Sequence, residues 1–286
     1  EFIQKSTSCK LNNQQFTSLT GIFYLLFGIL HSADNLKPFT LKMKTDLTLS
    51  AGIGSSASFA VTVAACFIHY KNLKSFHKNT IFNDEERSLI SKWAFCIERI
   101  IHGLPSGIDN AICTYGSMVK FRKSDGVELL STSEFQLLLT NTKIARSTKQ
   151  IVANVSNLLK NHPLIINSIF NTIDEISKSA IKYILEIGSN MENQELYQKL
   201  EELTDMNHCM LQSLSVSHPK LDQICSLLKK NGLRGKLTGG GGGGYAISII
   251  PPYTSNVLIA ELMDQLNSEG FDPLLTKLGG LGVSID

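Results

Sequence analysis

The chain has 286 residues, with 27 Lys plus Arg against 25 Asp plus Glu and a hydrophobic fraction of 43%. That length and apolar content exclude a disulfide-stapled peptide and wholesale disorder, and leave room for one large or two modest domains. A net charge of +2 excludes a global basic field for nucleic acid or an anionic membrane surface.

Taken in chain order, residues 13–30 read as a helix, because Phe16, Leu19, Phe23, Leu26 and Leu30 recur at three- and four-residue steps. Residues 21–30 are the longest apolar stretch near the start, half of the ~20 residues that a spanning helix needs. Alternation of Phe39, Leu41 and Met43, then Leu47 and Leu49, predicts a strand over residues 39–49. A loop of small residues, 50–57, feeds an apolar helix from Ser56 to about Tyr70, and the polar residues 71–83 form a connection. A second helix spans residues 84–101, with Leu89, Ile90, Trp93, Ala94, Ile97 and Ile101 on its buried side. Two Gly and a Pro break it at residues 102–107, and a short helix to about Thr114 and a strand over 117–122 follow.

In the second half, residues 136–142 read as a strand, and residues 147–215 are almost all helix-periodic, interrupted at Pro163 and around 188–193. A helix over 221–230 ends at Asn231-Gly232, a C-cap pattern. A short strand near Lys236, six consecutive glycines, a strand over 245–250 stopped by Pro251-Pro252, a helix over 256–266 and terminal strands complete the chain. The polar, turn-like run 124–134 sets the expected boundary, giving domains of residues 1–132 and 133–286. The six Cys, at 9, 66, 96, 113, 209 and 225, form no CxxC pair and have no His at zinc-finger spacing. Free thiols in a reducing compartment fit them best. The opening EFIQKSTSCK has no apolar core of a secretory signal.

Three motifs could carry chemistry. In Ser50-Ala51-Gly52-Ile53-Gly54-Ser55-Ser56-Ala57, small residues let backbone approach a ligand, and the helix start offers unpaired N–H groups to an anion. The Ser hydroxyls can bond phosphate or coordinate Mg²⁺. The plainer alternative is a tight turn capped by Ser. The run Gly239 to Gly244 could be a flexible linker. Its place between two short strands instead suggests an ordered loop, whose entropy cost implies a use. In the stretch from Glu98 to Asn110, Glu98 sits on an apolar helix where a carboxylate is costly unless paired or metal-bound. Ser106 and Asp109 could form an acidic capping box, or Asp109 could handle a substrate proton while Glu98 binds metal.

In combination these motifs resemble the GHMP kinases, and most of all the mevalonate kinase branch. The phosphate loop PxGxGLGSSA of that family is matched by residues 49–57, and KWAFxxERxIHGxPSGxDNA by residues 92–111. LLLTNTK at 137–143, KLTGGGGGGYAI at 236–247 and the closing Gly282-Val283-Ser284-Ile285 also match. The resemblance implies an α+β, two-domain fold, with an N-terminal part like ribosomal protein S5 domain 2 and a ferredoxin-like C-terminal part. It implies ATP-dependent phosphorylation of the C5 hydroxyl of (R)-mevalonate in isoprenoid synthesis. Thr45, Ser50, Ala51, Gly52, Ile53, Gly54, Ser55 and Ser56 would hold ATP, Ser56 and Glu98 would hold Mg²⁺, and Asp109 would be the catalytic carboxylate. The glycine run would pack beside the phosphate loop, and a homodimer in the cytoplasm is implied.

The departures are Leu49 for the Pro of the family, Ser50 for its first loop Gly, Gly240 for an Ala and Tyr245 for a Cys. The first family motif, a strand pair bearing a Lys that approaches the catalytic Asp, finds no match. A fragment beginning after that motif is therefore expected, and a catalytically inactive, ligand-binding chain is the alternative to an active kinase. The matches at 101–111 and 137–143 favour mevalonate over phosphomevalonate as substrate.

Overall fold

A computed structural model describes residues 11–30, 38–45, 54–74, 81–103, 105–145 and 148–285. They divide into two compact units, Glu1–Leu130 with Leu281–Asp286, and Ser131–Gly280.

In the first unit, α1 (Asn13–Leu30), α2 (Ser55–Lys74), α3 (Asp84–His102) and α4 (Ile108–Tyr115) precede a hairpin of β1 (Met118–Arg122) and β2 (Gly126–Leu130). The sequence of α2 is small and apolar on nearly every side, the pattern of a helix surrounded by others. Ala60, Val61, Val63, Ala64, Phe67 and Ile68 are accordingly buried, in one cluster with Leu25 and Ile29 of α1 and Ile90, Ala94 and Ile97 of α3. Each large side chain removed from water in this way contributes about 1.5–3 kcal/mol. Val283 and Ile285, from the far end of the chain, join this core, and the Val283 N–H donates to the Thr114 carbonyl (3.2 Å).

Several expectations need correction in this unit. Residues 38–45 form no strand, and residues 46–49 lie outside the described set. Phe39 instead packs its ring near Phe67 and Tyr70, at 6.2 and 5.5 Å. Alternation marks a face, but a strand also needs a hydrogen-bonded neighbour. Leu89 is 43% exposed rather than buried, because the buried row of α3 falls at Ile90, Ala94, Ile97 and Glu98. Residues 126–130 are strand, paired from Met118↔Leu130 to Arg122↔Gly126, where a turn-like run was expected.

The second unit opens with β3 (Phe135–Asn141) and continues through α5 (Thr148–Asn161), α6 (Pro163–Ser189), α7 (Gln194–Ser213) and α8 (Pro219–Lys230). It closes with β4 (Lys236–Leu237), β5 (Tyr245–Ile250), α9 (Asn256–Ser268) and β6 (Asp272–Leu278). The strands form one antiparallel sheet of order β4-β5-β3-β6. With the helices between β3 and β4 counted as one crossover, this is the strand order of a ferredoxin-like sheet. Leu138 and Leu237 are buried from the strands, as are Leu221, Ile224 and Leu228 from α8 and Ile259, Leu262 and Leu266 from α9. Among the described residues β6 is the one strand after α9, and residues 279–285 form none, where more than one terminal strand was expected. Among the described residues, no helix is long and apolar enough to cross a membrane.

Candidate functional site

Glu98 is placed by a well-anchored helix. Asn83 caps α3 with a reciprocal box: the Glu86 N–H donates to Asn83 Oδ1 (2.9 Å) and the Asn83 N–H donates to Glu86 Oε2 (2.8 Å). Asp84, Glu85 and Glu86 in the first turn and Arg99 and His102 in the last suit the helix dipole. Glu98 falls on the buried row of α3, is 4% exposed, and its Oε1 has no hydrogen-bond partner. Burial pushes its carboxyl above the usual range, and the charge of Asp109 adds to that; Ser56 and, when protonated, His102 oppose it. A buried carboxylate with an orphaned oxygen and a second acid nearby is short of positive charge.

Asp109 comes from the next element. Gly103 ends α3 at φ 77°, and Gly107 starts α4 in the left-handed region at φ 82°. No side chain caps α4, so the capping-box alternative for Ser106 and Asp109 is not formed; the Ser106 hydroxyl accepts the Ile108 N–H (3.3 Å) instead. Asp109 is therefore the second residue of α4, and it is exposed. One turn on, the Cys113 thiol is pushed up to about 11, by burial first and then by the charges of Asp109 and Glu98.

The third component is the start of α2. Gly54 turns the chain at φ 76°, and its carbonyl accepts the Ser58 N–H (2.9 Å), so the N–H groups just before Ser58 have no partner within the helix. A Cβ on Gly54 would lie 3.7 Å from Asp109 Cγ. Ser56 Oγ is 3.1 Å from His102 Nε2, which is 3.8 Å from Glu98 Oε2.

The structure thus brings Gly54, Ser56, Glu98 and Asp109 together, with Ser55 opening the helix between them. Ser50, Ala51, Gly52 and Ile53 lie outside the described residues, and Thr45 is exposed at the end of residues 38–45. His102 was not singled out from sequence, although its position four residues after Glu98 puts it on the same helix face. Among the described residues, no three His, Cys, Asp or Glu gather to hold a metal ion. Ser56 and Glu98 instead suit a hard cation that takes most of its oxygens from phosphate and water.

In the second unit, the glycine run is an ordered loop. Its carbonyl at Gly244 accepts the Thr142 N–H and hydroxyl, both at 2.8 Å, and the Gly242 N–H donates to the Val216 carbonyl (2.8 Å). Gly239, Gly241, Gly242, Gly243 and Gly244 all have positive φ, and a Cβ on Gly241 would collide with the Val216 carbonyl oxygen. Gly240, where the family pattern has Ala, is not among the positive-φ glycines. These contacts exclude the linker reading.

The family model described as the GHMP kinases N terminal domain matches residues 22–117, and the one described as GHMP kinases C terminal matches residues 181–269. The chain is 37% identical over 273 residues to mevalonate kinase of Homo sapiens, covering 94% of this chain and 69% of that protein. Its fold is similar to a crystal structure of L. major mevalonate kinase in complex with R-mevalonate, with TM-score 0.70 and 21% identity over 94% of this chain and 79% of that one. It is similar also to Streptococcus pneumoniae phosphomevalonate kinase in complex with phosphomevalonate and AMPPNP, with TM-score 0.61 and 18% identity over 94% and 83% of the two chains.

Proposed function

We propose a reaction for a chain that belongs to the GHMP kinase family, and within it to the mevalonate kinases: transfer of the γ-phosphoryl of ATP to the C5 hydroxyl of (R)-mevalonate. The product is 5-phosphomevalonate, and the enzyme is a phosphotransferase with an alcohol acceptor. The relatives favour this reading over an inactive, ligand-binding chain.

The observation that carries the residue assignments is the meeting of Gly54, Ser56, Glu98 and Asp109 at the start of a long helix. The unpaired amides there offer a seat for phosphate oxygens, and the loop of Ser50 to Ser56, with Thr45 upstream, wraps the triphosphate. Ser56 and Glu98 hold Mg²⁺. The orphaned Glu98 Oε1 fits that cation, because a buried carboxylate oxygen otherwise lacks any compensation. Bound there, the metal supplies neutralisation of phosphate charge. Asp109, exposed beside Gly54, accepts or guides the proton of the C5 hydroxyl as that oxygen attacks. Positioning and electrostatics, rather than covalent chemistry, carry phosphoryl transfer of this kind.

The same reading includes a homodimer and a cytoplasmic setting. Unpaired thiols at Cys66, Cys96, Cys113, Cys209 and Cys225 support a reducing compartment, and sedimentation of the purified chain tests the dimer. The test of the reaction is ADP release by the 286-residue chain with MgATP and, in turn, mevalonate, phosphomevalonate, homoserine and galactose. Turnover confined to mevalonate is expected. Turnover with another acceptor and none with mevalonate overturns the substrate, and no turnover with any of them overturns the active-kinase reading for this chain.

A further inference from the structure

His102 ends α3 one turn beyond Glu98, and its Nε2 lies 3.1 Å from Ser56 Oγ. The distance from Nε2 to Glu98 Oε2 is longer, 3.8 Å, and the imidazole is 51% exposed. An ion pair of that geometry is worth little, so the Ser56 contact is the principal one.

A serine that coordinates a cation through its oxygen must still place its hydroxyl hydrogen. In the structure Ser56 Oγ stands 3.1 Å from His102 Nε2 and also near enough to Glu98 to oppose the rise in the pKa of that carboxyl. With Ser56 and Glu98 as ligands of a cation, the Glu98 carboxylate would be committed to that ion and could not also accept the Ser56 hydroxyl hydrogen. His102 Nε2 is the acceptor that then stands within hydrogen-bond distance of Ser56 Oγ. A neutral imidazole can take this bond at Nε2 while its Nδ1–H faces water.

We propose that His102 is a positioning residue: it accepts the Ser56 hydroxyl hydrogen and so turns the lone pairs of Ser56 Oγ toward the divalent cation held with Glu98. This rests on the assignment of Ser56 and Glu98 to the metal. Groups that orient a ligand in this way typically govern metal affinity by about 10–100-fold.

The test is binding of Mn²⁺ to the 286-residue chain in the presence of ADP, followed by electron paramagnetic resonance, so that no turnover is needed. His102→Ala weakens Mn²⁺ binding at least ~10-fold and leaves ADP binding in excess chelator unchanged. His102→Gln, whose amide oxygen reaches the position of Nε2, restores most of the affinity. His102→Asn, with the same amide one methylene shorter, does not. That Gln and Asn pair decides the matter even where the Ala variant folds poorly. Glu98→Gln runs beside them as the metal-site control. Wild-type affinity in His102→Ala while Glu98→Gln loses Mn²⁺ overturns the proposal, as does failure of Gln to exceed Asn. Absence of Mn²⁺–ADP binding in the unsubstituted chain, or its retention in Glu98→Gln, overturns the metal assignment and the proposal with it.

Discussion

Gly54 stands against Asp109: a methyl group added to Gly54 would sit 3.7 Å from the Asp109 carboxyl carbon. The end of the small-residue loop and the start of α4 are therefore in van der Waals reach, although a whole helix pair separates them in sequence. That closeness places a carboxylate beside the helix start that offers amides to phosphate. It supports the part proposed for Asp109 in the chemistry, which its plain exposure would not suggest.

Asp109→Asn keeps the size of the side chain and removes its capacity to take a proton. Turnover with mevalonate falls by about 10²–10⁴-fold, while ATP affinity, measured by calorimetry, is unchanged. Near-normal turnover would remove Asp109 from its role.

Glu98→Gln separates stability from function. The folded pKa of Glu98 lies above its ordinary value of 4.5, chiefly through burial. A raised carboxyl contributes stability that is complete below that ordinary value and is lost as pH rises through the folded one. In metal-free buffer the variant is therefore the more thermostable at neutral pH, by about 2–4 °C for each kcal/mol recovered. The gap between the two proteins shrinks as pH falls toward 4.5. With ADP already in excess, added Mg²⁺ raises the melting temperature of the wild type only. Melting curves at several pH values check both parts.

His208 offers a pH test in the second unit. It is 5% exposed; the Leu237 N–H donates to its Nδ1 (3.4 Å), so Nε2 carries the hydrogen and donates to Asp222 Oδ1 (3.2 Å). Burial lowers its pKa from the ordinary 6.5, with Asp222 opposing. Its neutral form thus stabilises the fold above that value, and stability declines as pH falls from 6.5 toward the folded pKa. His208→Phe flattens this decline and costs about 1–3 kcal/mol at pH 7, from the unpaired Leu237 N–H, since Asp222 keeps the hydrogen bond from Ser217. Urea melts at pH 5.5 and 7.5 measure both effects.

Gly241→Ala sets a side chain against the Val216 carbonyl oxygen at a φ of 76°. A left-handed conformation alone costs a non-glycine residue about 1–2 kcal/mol, and the collision adds to it. The melting temperature falls by several degrees, whereas Gly240→Ala, at a glycine without positive φ, has the smaller effect. Equal losses in the two variants would deny the loop its observed conformation.

Much of the fold was legible because it is local. The three-and-four spacing in α1 and α3, the break at Pro163, and the strand of Tyr245–Ile250 before two prolines all follow from neighbours in sequence. Residues 39–45 misled for the opposite reason: their alternation is real, but pairing depends on a distant segment. Leu89 misled because the exact rotation of α3 depends on what packs against it.

The candidate site divides in the same way. Sequence alone determined which residue types stand at which spacing: the small-residue turn, the acidic residues at 98 and 109, and the run of glycines. Only the tertiary structure decided that Glu98 is buried with one oxygen unpartnered, that Ser56 meets His102, and that the end of the chain returns to the first unit. Local periodicity and chain stiffness act between neighbours and are written residue by residue. Burial and charge depend on distances between segments far apart in the chain, and only packing sets those distances.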